Sequence, residues 1–335
     1  MKRTMKIIIA TDAWEPQING VALTLKKTVG ILSKNGHEVY VVHPKPSSLK
    51  YPFTKDVSIG FVSNKKLKRL ITKPCSVHIS TEGPIGIKTR QFCINNDIPY
   101  TTAYHTKFPE YFNAYAKVPI CVGRKFVNWF HNSSRAVMVA STGLQNEIRS
   151  NGIKSPIKIW QRGIDFDLFY PRPKTIKHDK PVALFVGRIS KEKNLQAFLN
   201  LKLDIHKVVV GDGSELEKYK SLYGDVDFKG SLNGDRLAQA YCNADVFVFP
   251  SLSDTFGLVV IEALACGIPV ACYPVVGPGE IVDNHRNIGC SSWNLEEAIL
   301  KSLKQKNSVD CVNFAKKFSW DSCTQQFLDN LVIHD

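Results

Sequence analysis

The strongest constraint on this chain is a strand–loop–helix–strand pattern that occurs twice. "KIIIA" reads as a short buried strand, and "WEPQINGVAL" is a loop carrying Pro16 and Gly20. "ALTLKKTVGILSKNG" then spaces Leu23, Leu25, Val29 and Leu32 as one face of a helix that Gly36 ends, and "EVYVV" is the next strand. The other half repeats the order with "PVALFVG", "LQAFLNLK" and "KVVVGDG", and "ADVFVFPS" and "IPVACYP" add further buried strands. Strands apolar on both faces and separated by helices pair in parallel under two helical layers. The expected class is therefore α/β, with two tandem doubly wound Rossmann-like domains facing each other across a cleft and a ligand at the carboxyl ends of the strands.

The 335 residues suffice for two full-sized cores. The stretch "IWQRGIDFDLFYPRPKTIKHDKP" has three prolines and little periodicity, so it reads as the connection. The expected boundaries are a first domain over 1–165, a linker over 166–179 and a second domain over 180–317. "NFAKKFSWDSCTQQFLDNLVI" reads as one amphipathic helix, and a C-terminal helix at about 318–335 would be able to cross back to the first domain.

Charge separates the halves. Residues 1–160 hold 24 Lys and Arg against 8 Asp and Glu, or +16, and residues 161–335 hold 20 against 22, or −2. A basic half implies an anionic partner, either a membrane surface or a nucleic acid. Nine cysteines occur without a Cys-x-x-Cys pair or a neighbouring His pair, which points to neither zinc nor a disulfide framework and fits a reducing compartment. "MKRTMKIIIATDAW" has too short an apolar run for a signal peptide, and Leu258–Val276 is broken by Glu262, Gly267, Pro269 and Pro274. A soluble, cytoplasmic chain is expected.

"SLSDTFGLVVIEALACGIPVACYP" (Ser251–Pro274) carries the chemistry. Asp254 and Thr255 are placed to cap the helix that follows, with Phe256, Gly257 and Leu258 in its first turn. Gly257 lets a phosphate approach the free backbone N–H groups. Glu262 falls about two turns in, where its carboxylate either pairs with a basic core neighbour or accepts from a ribose diol; the two readings stand level. In "VGRISKEKN", Gly187 lies at a strand's carboxyl end and Arg188 and Lys193 bracket a loop suited to a diphosphate, or else form a solvated basic loop. Gly20 in "QINGV" gives the backbone room after the first strand, but no Gly-x-Gly-x-x-Gly occurs there. His105 in "TAYHTKFPEYF" would reach a sugar hydroxyl or be a structural histidine, and "VVGPGE" would line the same cleft or be only a turn.

Together "GRISKEKN", "SDTFGLVVIEALACGIPV", "RGIDFDLFYP" and "DAWEPQINGVALT" resemble the retaining glycosyltransferases of the two-Rossmann-domain type (GT-B, group 1, family 4-like). "YHTKFPEYF" and "SDTFG" are most similar to the GDP-mannose-dependent α-mannosyltransferase branch. The family's acidic pair is usually Glu, seven residues, Glu; here the first is Asp254, one methylene shorter. The resemblance implies that Asp254 contacts the donor sugar, Glu262 the ribose, Arg188 and Lys193 the diphosphate, and His105 the transferred sugar, with Gly20 and Gly257 close to the phosphates. It also implies a front-face displacement with no separate nucleophile and no obligatory cofactor or metal. The donor would be GDP-mannose or a UDP-sugar, and the acceptor a lipid-linked molecule or a glycan of the cell envelope.

The basic half would then face the acceptor. "FVSNKKLKRLI" and "VPICVGRKFVNWFHN" mix cations with apolar side chains and would either lie on an anionic membrane at its inner face or be ordinary solvated helices. The rival functions are a UDP-sugar-dependent glucosyl or similar transferase, a same-fold epimerase, a catalytically silent nucleotide-sugar sensor, and a nucleic-acid-binding protein suggested by charge alone.

Overall fold

The computed structural model describes residues 4–17, 19–45, 49–51, 54–252, 254–283, 285–305 and 307–335. The basic start at residues 1–3, Ile18 of "QINGV" and Ser253 of "SDTFG" lie outside the described residues. Two compact units are present: residues up to Gly163 together with Trp320–Asp335, and Ile164–Ser319.

The first unit opens with β1 (Lys6–Ala10), α1 (Gly20–Lys34), β2 (Glu38–Val42) and an antiparallel pair, β3 (Leu49–Tyr51) and β4 (Thr54–Ile59). It continues with α2 (Asn64–Leu70), β5 (Ser76–Ile79), α3 (Pro84–Asn95), β6 (Tyr100–Ala103), α4 (Phe108–Ala116) and α5 (Ile120–His131). Then come β7 (Ala136–Val139), α6 (Thr142–Ser150) and β8 (Ile157–Ile159). The six-stranded sheet is parallel in the order β2-β1-β5-β6-β7-β8. Ile7, Ile8, Ile9 and Ala10 are inaccessible on both faces, because helices cover both sides of a parallel sheet.

The second unit runs β9 (Val182–Val186), α7 (Leu195–Leu199), β10 (His206–Val210), α8 (Leu216–Leu222), β11 (Asp227–Gly230), α9 (Gly234–Asn243) and β12 (Val246–Phe249). It closes with α10 (Leu258–Ala265), β13 (Val270–Cys272), α11 (Pro278–Asp283), β14 (Gly289–Ser291), α12 (Leu295–Lys304) and α13 (Ser308–Ala315). Its parallel sheet has the order β11-β10-β9-β12-β13-β14. The order reverses between β9 and β12, so the loops leaving those two neighbours flank the switch point where doubly wound sheets bind ligands.

The proline-containing connection lies along α9. Phe169 packs on Tyr241 with ring centroids 5.9 Å apart, Arg172 pairs with Asp235 at 2.9 Å, and Thr175 N–H donates to Asn243 at 2.9 Å.

The expected single C-terminal helix is two. α13 ends where Phe318 N–H bonds back to Ala315 carbonyl oxygen, and Ser319 then pairs as an extended residue with Ile164. α14 (Trp320–Asn330) starts afresh in the first unit, burying Cys323, Thr324 and Phe327. At ~100° per residue, Phe314 and Phe318 would lie opposite Cys323 and Phe327 on one helix, and the break lets each pair serve a different core.

Candidate functional site

The loops after β9 and β12 are stitched together. Asn194 sits in the left-handed region (φ 49°) between a short 3-10 turn, Lys191–Lys193, and α7, and its amide donates to Pro250 carbonyl oxygen at 3.1 Å. Ser251 hydroxyl donates to Glu192 carbonyl oxygen at 3.2 Å. Lys193 Nζ then donates to Asp254 Oδ2 at 2.7 Å. Arg188 Nη2 lies 2.9 Å from Glu192 Oε1 and is half-exposed.

Asp254 does not cap α10. Its Oδ1 accepts from the N–H groups of Thr255 and Phe256 at 2.8 and 3.1 Å, so it folds its own loop one turn earlier. Burial pushes its carboxyl up, but the Lys193 charge and hydrogen bond and the two N–H donors outweigh this and hold it below the ordinary value. The residue before the helix is Gly257, at φ 84° and ψ 65°, with no side-chain cap. A glycine is required there because other residues are strained in the left-handed region. A Cβ would also come within 3.1 Å of Pro278 Cγ, which shows how closely "VVGPGE" packs on this turn. The leading N–H groups of α10 have no acceptor within the helix.

Glu262 is the fifth residue of α10, little more than one turn in, because the helix starts later than its sequence suggests. Among the described residues no cation pairs with it. Oε2 accepts instead from the Tyr241 hydroxyl on α9 at 2.8 Å. Burial pushes the carboxyl up to about 7, against the opposing pull of that hydrogen bond.

Sequence reasoning missed two features. Tyr241 is one. The other is "GDG" after β10: a Cβ on Gly211 would lie 1.9 Å from Gly187 carbonyl oxygen, and Ile189 N–H bonds Asp212 carbonyl oxygen at 2.9 Å. This backbone-on-backbone contact supports the "GRIS" loop from below, and its signal was a glycine pair at a strand's carboxyl end.

Gly187, Arg188, Lys193, Asp254, Phe256, Gly257, Leu258 and Glu262 thus all belong to the second unit, with Phe256 buried against Phe318 and Leu258 half-buried. Gly20 and His105 belong to the first. Gly20 is the exposed first residue of α1, whose N-cap Asn19 accepts from Ala22 N–H at 2.9 Å. His105 is buried, and its Nδ1 lies 2.7 Å from Arg162 Nη2. A guanidinium only donates, so Nδ1 accepts and the neutral ring carries its proton on Nε2. Burial, with Arg162, His78 and His131 adding to it, drives the His105 pKa well below the ordinary value.

The two basic segments differ. On α2, Lys65, Lys66, Lys68 and Arg69 are exposed, while Leu67 and Ile71 point into the core. On α5, Ile120, Val122 and Trp129 are exposed beside Arg124 and Lys125. Among the described residues no helix is long and apolar enough to cross a membrane.

The sequence matches the family described as Glycosyltransferase Family 4 over residues 18–168, and Glycosyl transferases group 1 over residues 168–318. It is 27% identical over 314 residues to a GDP-mannose-dependent alpha-mannosyltransferase of Mycobacterium tuberculosis, covering 84% of this chain and 82% of that protein. It is 26% identical over 314 residues to the alpha-monoglucosyldiacylglycerol synthase of Streptococcus pneumoniae, covering 80% and 71%. The sucrose-phosphate synthase of Thermosynechococcus elongatus has the same fold, with a TM-score of 0.76 over 98% of both chains at 17% identity. With both sheets, the switch-point loops and both family matches in agreement, the chain belongs to the group 1 and family 4 glycosyltransferases of the GT-B fold, and is a hexosyltransferase.

Proposed function

We propose that the enzyme transfers mannose from GDP-mannose, with retention, to a hydroxyl of a lipid-linked or glycan acceptor. The observation that carries this reading is the meeting of Lys193, Asp254 and the start of α10 at the switch point, with Glu262 on the same helix. The similarity to the Mycobacterium mannosyltransferase supports GDP-mannose as the donor.

In this reading Lys193 and Arg188 face the diphosphate. Each is already held by a carboxylate, so each is positioned before substrate arrives. Such preorganised charge is worth ~3–4 kcal/mol of barrier per well-placed donor. Asp254, kept ionised by Lys193, accepts from the sugar, Glu262 accepts from the ribose diol, and His105 donates from Nε2. The acceptor oxygen bonds to the anomeric carbon on the face the diphosphate leaves. The carbon–oxygen bond to phosphate breaks, and the acceptor proton passes to the departing phosphate oxygen. Lys193 and Arg188 balance the charge, so the proposed transfer needs no metal.

The exposed Ile120, Val122 and Trp129 beside Arg124 and Lys125 support an acceptor presented at an anionic lipid surface. A UDP-glucose donor is the second reading, favoured by the similarity to the glucosyl synthase.

The test is a thermal-shift panel of GDP, UDP, ADP and their sugars, followed by product analysis with radiolabelled donor and lipid extract. A ligand at 100 times its Kd adds ~2.7 kcal/mol. Stabilisation by GDP and GDP-mannose, with mannosyl product formed in excess chelator, is expected. Response to UDP alone would move the enzyme to the second reading, and no response to any nucleotide would sink both.

A further inference from the structure

Tyr241 carries an unassigned task. Its side chain is fully buried at the end of α9, packed between Phe169 and Phe247 at 5.9 and 5.7 Å, and its hydroxyl meets Glu262 Oε2 at 2.8 Å. A phenol placed against a carboxylate in an apolar surrounding donates, and burial followed by the Glu262 charge raises the Tyr241 pKa well above its ordinary value. The proton therefore stays on the phenol. The hydrogen bond fixes the rotation of the carboxyl and occupies one lone pair of Oε2, leaving the remaining lone pairs aimed in a set direction. The other titratable groups on this face are the Cys266 thiol one turn on, Cys242, whose thiol donates to Tyr170 carbonyl oxygen at 3.3 Å, and Arg172 beside both.

We propose that Tyr241 is a positioning residue that holds the Glu262 carboxylate for a vicinal diol, and so sets the enzyme's preference for ribonucleotides over 2′-deoxyribonucleotides. This rests on the donor reading above. Two adjacent hydroxyls match a fixed, ionised carboxylate, whereas one hydroxyl leaves part of a half-buried anion unsatisfied. An untethered carboxyl would rotate to suit either sugar and would hold its proton to higher pH.

The experiment is calorimetric titration of the full chain with whichever of GDP, UDP or ADP it binds, and with the 2′-deoxy counterpart, from pH 5.5 to 8.5. The wild type is expected to prefer the ribonucleotide by ~10-fold or more at pH 8, and to lose that preference below a midpoint near 7. Tyr241→Phe keeps the ring in its aromatic surroundings. It is expected to shrink the preference to within ~3-fold and to move the midpoint upward. A merely structural tyrosine would change neither ratio nor midpoint. A Tyr241→Phe protein with the wild-type ratio would overturn the inference while leaving the donor reading intact. A wild type that binds nucleotide without ribose preference would overturn the ribose contact itself. Binding of none of the three nucleotides would instead remove the donor reading on which the inference stands. Should Tyr241→Phe fail to fold, Tyr241→Met removes the hydroxyl in its place, and a Tyr241→Met protein with the wild-type ratio and midpoint would overturn the inference.

Discussion

Asp12 shows what a single carboxyl costs when it is folded inward. It lies two residues after β1, where its two oxygens accept from Ile85 and Gly86 N–H at 3.0 and 3.3 Å and from Thr81 hydroxyl at 2.9 Å. Burial raises its pKa to about 6 despite those donors. Glu262, at about 7, behaves alike. Both folded carboxyls hold their protons above the unfolded values, so their stabilising contribution is complete below ~4 and is lost as pH rises through 6 and 7. The ligand-free protein is therefore expected to lose stability between pH 4.5 and 7.5 through these two groups. Asp12→Asn should flatten that slope by ~2 kcal/mol in urea titrations at the two pH values. An unchanged slope would show that Asp12 ionises normally. At this scale the sequence revealed residue type and not partner: the acid at 262 was visible, whereas its choice between a cation and a phenol depended on which face of α9 meets α10.

At the scale of elements, α10 is set by one residue. The apolar run from Leu258 was legible, but Gly257 was expected inside the first turn and not before it. The start itself was misjudged by one turn, since Asp-Thr at a helix entry is ordinary capping chemistry and only the left-handed backbone at 257 redirects the Asp254 side chain to its own loop. Gly257→Ala should cost ~1–2 kcal/mol for the left-handed conformation alone, and more if Pro278 cannot yield. Thermal unfolding would register the loss, and a variant melting with the wild type would show that the turn has another conformation available. The split of the C-terminal helix was missed for a different reason. No glycine or proline marks the stop, and its one signal was a change of face: at ~100° per residue, Phe314 and Phe318 lie opposite Cys323 and Phe327.

Across the whole molecule, chain order and structural membership disagree. The last helix belongs with the first sheet: Phe327 is inaccessible, with its ring 4.8 Å from Trp160 and 4.9 Å from His78, and α14 packs on α1. A chain stopped after Ser319 would leave Trp160, His78 and Leu25 without their cover. Limited proteolysis is expected to degrade residues up to Gly163 in that truncated protein while a fragment near Ile164–Ser319 persists. Equal resistance of both units would show that α14 is dispensable. The repeated strand–helix pattern made the two sheets legible from the start, because parallel strands announce themselves as unbroken apolar runs.

The distribution of thiols gives the chemist a handle on α5. Seven of the nine cysteines are buried and Cys290 is half-covered, whereas Cys121 stands in the open on α5, next to Ile120 and Val122 and one turn from Arg124. A maleimide dye applied briefly under native conditions would mark that helix first and almost alone. The purified wild-type protein thus already carries a fluorescent reporter position on the very surface where lipid contact is in question, and emission from position 121 would brighten or stay constant as vesicles are added.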